Sequence, residues 1–159
     1  MKKTNAIRLL EQQKIRFDTV PYAYNPDNLN LQVIADENNL ELEKVFKTLV
    51  LKGNKTGILV TVVPGTKYLN LKALAKASGN KKIALVEVKK LLQLTGYIRG
   101  GCSPIGMKKN YPVFVDDSIE EIDKIYINAG VRGILVGLSI EDFKKVTKCK
   151  SEAIGSLYE

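Results

Sequence analysis

Two apolar, β-branched runs, Phe46–Leu51 and Ile58–Val63, flank the segment Lys52-Gly53-Asn54-Lys55-Thr56-Gly57. Each run has the length of a strand, and the Gly/Asn-rich segment between them has hairpin-turn chemistry, so the pair predicts a β-hairpin. Helical patterns surround it. Thr4 can cap a helix over Asn5–Lys14, with Ile7 and Leu10 on related turns, and an extended segment covers Arg16–Tyr22. A loop bracketed by Pro21 and Pro26 leads to a helix over about Leu31–Asn38, and another short helix ends near Val45.

Beyond the hairpin, Asn70 caps a helix through Ala77 that Gly79 ends, followed by a short strand at Ile83–Leu85 and a helix over Val88–Leu94. Strands are expected at Pro112–Val115, Ile125–Asn128 and Gly133–Leu138. Ser118-Ile119-Glu120-Glu121 offers a capping box for a helical turn, and Ser139 caps a helix to about Thr147. This mixed order, without βαβ alternation or internal repeat, predicts an α/β fold around a curved mixed sheet. A chain of 159 residues, 45% hydrophobic, suits a single compact domain over 1–159.

Chemistry concentrates between Gly96 and Lys109, where four glycines, a Ser103-Pro104 pair and the cations Arg99, Lys108 and Lys109 sit between two apolar segments. Paired Gly100-Gly101 can aim backbone N–H groups at a carbonyl or phosphate oxygen, so the stretch reads as a binding loop, against the alternative of an ordinary turn with solvated lysines. Lys47 interrupts the apolar run Val45–Leu51, and strand alternation leaves two orientations open, into a pocket or out to solvent.

The chain has no histidine, which excludes Ser-His-Asp and Cys-His catalysis and removes the usual nitrogen ligands for zinc. Its two cysteines, Cys102 and Cys149, are expected as reduced thiols. The acidic pairs Asp116-Asp117 and Glu120-Glu121 read as solvated residues at helix starts, so neither a metal nor a cofactor is implied. What remains for a hydrolytic reading is oriented backbone dipoles, a lysine or tyrosine, a bound water, or the substrate itself.

The net charge of +8, with lysine as 21 of 25 cations, favours a polyanionic partner bound through its phosphates with little sequence readout, an RNA acceptor end rather than a DNA operator. The alternative is that lysine serves solubility. No apolar run of membrane-spanning length is present, and the start Met1-Lys2-Lys3-Thr4-Asn5 is not a signal segment, so a soluble, cytoplasmic chain without a membrane partner is expected.

Gly96-Tyr97-Ile98-Arg99-Gly100-Gly101-Cys102-Ser103-Pro104-Ile105-Gly106 resembles the signature loop of the YbaK/ProX family, freestanding editing domains that deacylate misacylated prolyl-tRNA. Val45-Phe46-Lys47-Thr48-Leu49, Leu69-Asn70-Leu71-Lys72 and Gly130-Val131-Arg132-Gly133 resemble further family segments in the same order. The resemblance implies a barrel-like sheet flanked by helices, with Lys47 turned into the pocket and Gly100 and Gly101 offering N–H groups to a developing oxyanion. It further implies Tyr22, Cys102, Ser103, Pro104 and Arg132 as substrate-binding residues, with Tyr22 lining the pocket and Arg132 contacting phosphate.

The activity implied is removal of cysteine from tRNA(Pro), with tRNA(Cys) as a second carrier, by attack of the substrate's own thiol. Neither Cys102 nor Ser103 is needed as a nucleophile. Three alternatives stand: release of alanine from tRNA(Pro) by a positioned water, a non-catalytic module binding tRNA or a synthetase, and a small-molecule hydrolase. Prolyl-tRNA synthetase is a candidate partner. Leu135 occupies a position where some family members carry a carboxylate, so specificity can differ here.

Overall fold

The computed structural model describes residues 3–159. Helix α1 spans Asn5–Gln12 and begins where Thr4 Oγ1 accepts the Ile7 N–H at 3.2 Å. Its Ala6, Ile7 and Leu10 are buried while the opposite face is wet, the pattern of an amphipathic helix. Strand β1 (Asp18–Pro21) and helix α2 (Leu31–Glu37), capped by Asn30, follow. A 3-10 turn at Leu42–Lys44 leads into the hairpin of β2 (Phe46–Gly53) and β3 (Gly57–Pro64), the antiparallel pair expected from sequence.

Then come β4 (Tyr68–Leu69), α3 (Leu71–Ser78), β5 (Ile83–Leu85), α4 (Val88–Thr95) and, after the glycine-rich loop, β6 (Val113–Asp116). The chain finishes with β7 (Lys124–Asn128), β8 (Ile134–Ser139), α5 (Ile140–Thr147), β9 (Lys150–Glu152) and β10 (Gly155–Ser156). Asn70 Oδ1 caps α3 through the Ala73 N–H at 3.1 Å, and Ser139 Oγ caps α5 through the Asp142 N–H at 3.1 Å.

The strands form a five-stranded mixed sheet ordered β5-β2-β3-β6-β9, a three-stranded sheet ordered β1-β8-β7, and the short pair β10-β4. A parallel bridge from Val45 to Tyr126 joins the first two beside β2 and β7. The expected mixed sheet is present, but the hydrogen-bonded ring does not close into one barrel. The main core lies between these sheets, where Phe46, Val60, Val62, Val115, Ile125, Ile127 and Val136 pack with Ile7 and Leu10 of α1 and Phe143 of α5.

Two local expectations are corrected. The helical turn at Asp117–Glu121 is 3-10 and is capped by Asp116, not by Ser118, because Asp116 accepts the Ser118 N–H at 3.3 Å. Asp116 is also not solvated: it is fully buried, accepts the Gly155 N–H at 2.7 Å, and pairs with Lys67 at 3.2 Å. Burial pulls its carboxyl upward, but these hydrogen bonds and the Lys67 ammonium outweigh burial and hold it below its ordinary value. One carboxylate thus ties β6 to the strand pair that closes the chain's end.

Candidate active site

Four distant segments meet at a cavity of about 250 Å³ whose wall includes Tyr22, Tyr24, Lys47, Thr48, Gly100, Cys102 and Asn128. Lys47 enters from the start of β2, opposite Val63, and is half-buried. Of the two orientations open to it, the structure takes the pocket. Burial lowers its pKa, and no carboxylate lies close enough to offset the cost. A cation held this way attracts a phosphate or a polarised carbonyl oxygen. Thr48, next to it on β2, also contributes to the wall, and its hydroxyl oxygen is buried without a hydrogen-bond partner among the described residues.

The loop carrying Gly100 is clamped from both sides. Tyr22 Oη lies 2.9 Å from Asn128 Oδ1 and 3.3 Å from the Gly100 carbonyl oxygen, so its single proton is shared between the two acceptors. Burial raises the Tyr22 phenol above its ordinary value and keeps that proton in place. Gly100 sits at φ 86°, and a Cβ there would stand 2.9 Å from the Tyr24 ring, so a side chain would meet both backbone strain and an aromatic wall. The Arg132 guanidinium stacks 4.7 Å from the Tyr24 ring centroid, and its Nε donates to the Arg99 carbonyl at 2.8 Å. Arg132 therefore braces the mouth and remains exposed rather than lining the cavity.

The two glycines differ in function. The Gly101 N–H already donates to the Ile98 carbonyl at 3.0 Å, and Gly101 lies against the backbone of Val131 and Arg132. It closes the loop and is not free to stabilise an oxyanion, which corrects the expectation of paired donors. Gly100 lines the cavity, and its N–H has no hydrogen-bond partner among the described residues.

Ser103 and Pro104 are buried beneath the loop and do not reach the cavity wall; Ser103 Oγ accepts the Ile105 N–H at 3.2 Å and shapes the turn. Cys102 does reach the wall as a free thiol, but burial pushes it up to about 11, so it is protonated at neutral pH and a poor nucleophile. Tyr24, Thr48 and Asn128 carry positions in the site that sequence reasoning did not assign. Thr48 had a signal in its place beside Lys47; Asn128 had none, since a polar residue at a strand end is ordinary.

Comparison with solved structures gives the class first. The chain superposes on a candidate trans-editing enzyme for prolyl-tRNA synthetase with a TM-score of 0.85 over 98% of this chain and 99% of the other, at 19% identity. It thus has the same fold. Residues 26–146 match the model of the aminoacyl-tRNA editing domain, and the chain belongs to that family. It is 45% identical, over 91% of its length and 88% of the relative's, to a candidate Cys-tRNA(Pro)/Cys-tRNA(Cys) deacylase, EbsC, of Enterococcus faecalis. A proline–tRNA ligase of Thermosipho africanus is 29% identical over 57% of this chain, which spans only 16% of that longer protein. The activity of this family is the editing of aminoacyl-tRNA. Among the described residues no helix is long and apolar enough to cross a membrane.

Proposed function

We propose that this chain removes cysteine mischarged on tRNA(Pro), and on tRNA(Cys), and that the substrate supplies its own nucleophile. The observation that carries this reading is the sharing of one cavity by a desolvated Lys47 cation and Gly100, whose N–H has no partner among the described residues, beside a Cys102 thiol that stays protonated. Such a wall can bind and polarise an ester carbonyl but holds no activated protein nucleophile. A cavity of about 250 Å³ suits one small aminoacyl group, with the terminal adenosine left at the mouth.

In this mechanism the substrate thiol sulfur attacks its own carbonyl carbon, and the carbonyl oxygen takes negative charge against the Gly100 N–H. The ester C–O bond then breaks, and the thiol proton passes to the departing ribose oxygen. The cyclic thioester released from the tRNA is opened by water to free cysteine. Lys47 holds the terminal phosphate or the carbonyl, Tyr22 fixes Gly100 through its carbonyl, and Arg132 and Arg99 offer positive charge to the acceptor end. The similarity to a proline–tRNA ligase supports prolyl-tRNA synthetase as the partner that confers tRNA selectivity.

The test is deacylation of Cys-, Ala-, Ser- and Pro-tRNA(Pro) side by side. Fast loss of cysteine with serine retained supports the thiol mechanism. Preferential loss of alanine moves the reading to a positioned water. Stability of all four substrates would leave a binding module.

A further inference from the structure

A second and larger cavity, about 1000 Å³, opens between β5, α3 and α4, at the far end of β2 from Lys47. Lys52 on its rim is five residues from Lys47, roughly 17 Å along an extended strand, so the two sites are separate. β5 is the edge strand of the five-stranded sheet. The Val86 N–H donates to the Val50 carbonyl at 3.1 Å, and the Asn54 N–H to the Lys82 carbonyl at 3.0 Å. By strand alternation the backbone groups of Ile83 and Leu85 therefore point away from β2, and no other part of the chain among the described residues bonds them.

The open edge is only three residues long and is preceded by Lys81 and Lys82, features that guard it against unspecific pairing. It carries no proline, and its apolar side chains are left in water: Leu85 is 60% exposed and Leu71, across the groove, 45%. The rim is strongly basic. Lys52, Lys72, Lys81 and Lys82 line it without an ion-pair partner among the described residues, while the single acid, Glu87, is taken up by Lys89 and Lys90. Single-stranded nucleic acid fits poorly, because the lining contains no aromatic side chain for base stacking and its floor is aliphatic, while duplex phosphates would meet the same lysines, an outcome that tRNA binding by a lysine-reversed variant distinguishes.

From the free edge, the exposed leucines and the unpaired lysines, we infer that this groove docks an extended acidic segment of a partner protein, which adds to β5 as a further strand. Its backbone would pair with Ile83 and Leu85, alternate apolar side chains would cover Leu85 and Leu71, and its carboxylates would meet the lysines. This inference stands apart from the deacylation reading.

The test is a selection of random dodecapeptides displayed on phage against the full-length chain, followed by fluorescence anisotropy of the enriched peptides. Leu85→Pro removes an outward N–H together with the exposed leucine side chain, a change an edge strand tolerates, and Lys81→Glu/Lys82→Glu reverses charge without touching the backbone. The expected result is enrichment of acidic peptides with alternating apolar residues. Their binding should weaken by about tenfold or more in each variant while Cys-tRNA(Pro) deacylation is unchanged. The inference is overturned if enriched peptides bind both variants as well as wild type, if no acidic strand-forming peptide is enriched, or if the lysine reversal instead weakens tRNA binding. Should Leu85→Pro fail to fold, the lysine reversal decides alone.

Discussion

The two cavities along β2 differ in opposite ways from what their sizes suggest. The groove beside β5 is about 1000 Å³ and lined by aliphatic side chains and exposed lysines, whereas the cavity proposed for editing is about 250 Å³ and lined by a half-buried lysine, Gly100 and a buried thiol. Volume alone would favour the groove, whereas the chemistry of the lining favours the small cavity. Reaction chemistry needs charge and donors already removed from water and held at fixed positions, because these act at full strength without reorganising when the transition state forms. The groove has surface but no such group; the small cavity has all of them within a few side chains. One strand thus presents a reactive end and an adhesive end.

The sharpest way to break this contrast is at Gly100. A Gly100→Ala variant forces φ 86° on a residue with a Cβ that would stand 2.9 Å from the Tyr24 ring, so the loop must shift. The expected loss in kcat/KM for Cys-tRNA(Pro) is about 10²–10³, the scale of one lost oxyanion donor. Wild-type rates in this variant would remove Gly100 from the mechanism.

Lys47→Met should lower turnover by about 10² while tRNA binding persists, and should at the same time stabilise the fold. The sign follows from burial. The lysine's pKa is lowered in the folded chain, so the unfolded chain binds the proton more tightly, and stability rises with pH between the lowered value and 10.5. The variant's gain in Tm is therefore full at neutral pH, shrinks through that window, and vanishes above it. A Lys47→Met chain that melts earlier than wild type at pH 7 would mean that Lys47 is paired rather than stranded.

Tyr22→Phe comes next. It removes the proton shared by Asn128 and the Gly100 carbonyl, and a loss of about 1 kcal/mol, near fivefold in rate, is expected from one neutral hydrogen bond. Deacylation kinetics compared with thermal melting separate the two roles: a fall in stability with unchanged kcat/KM would make Tyr22 a structural clamp only.

What could be read ahead of the structure divides along the same physical line. The hairpin, the Thr4, Asn70 and Ser139 caps and the five helices rest on contacts within a few residues, and each stands close to its expected bounds. Strands β4, β9 and β10 were not foreseen, because two- and three-residue segments such as Tyr68–Leu69 and Lys150–Glu152 have no periodicity of their own. They exist through pairing with Gly155–Ser156 and with β6, and Asp116 is buried for the same reason.

In the site, Lys47, Gly100, Tyr22 and Cys102 converge on one wall, whereas the committed Gly101 N–H and the buried positions of Ser103 and Pro104 depend on how the loop folds against Val131 and Ile105. Spacing marks which residues belong to a loop, but not which of its hydrogen bonds are already spent.

The smallest effect is expected where the contrast predicts none. Leu92 on α4 is 54% exposed, one turn from Val88, on the groove side of the molecule's division of labour and in neither cavity wall. Leu92→Gln therefore removes little buried apolar area and should change unfolding free energy by no more than about 0.5 kcal/mol, with deacylation of Cys-tRNA(Pro) unaltered. Half-buried Leu49, which lines the editing cavity on β2, is its counterpart. There the same leucine-to-glutamine change puts an amide against the aminoacyl group and should reduce activity several-fold. Equal responses at the two leucines, measured by parallel melts and deacylation rates, would mean that the cavity wall at Leu49 is no more sensitive than an exposed helix position and that the small cavity is not where the reaction occurs.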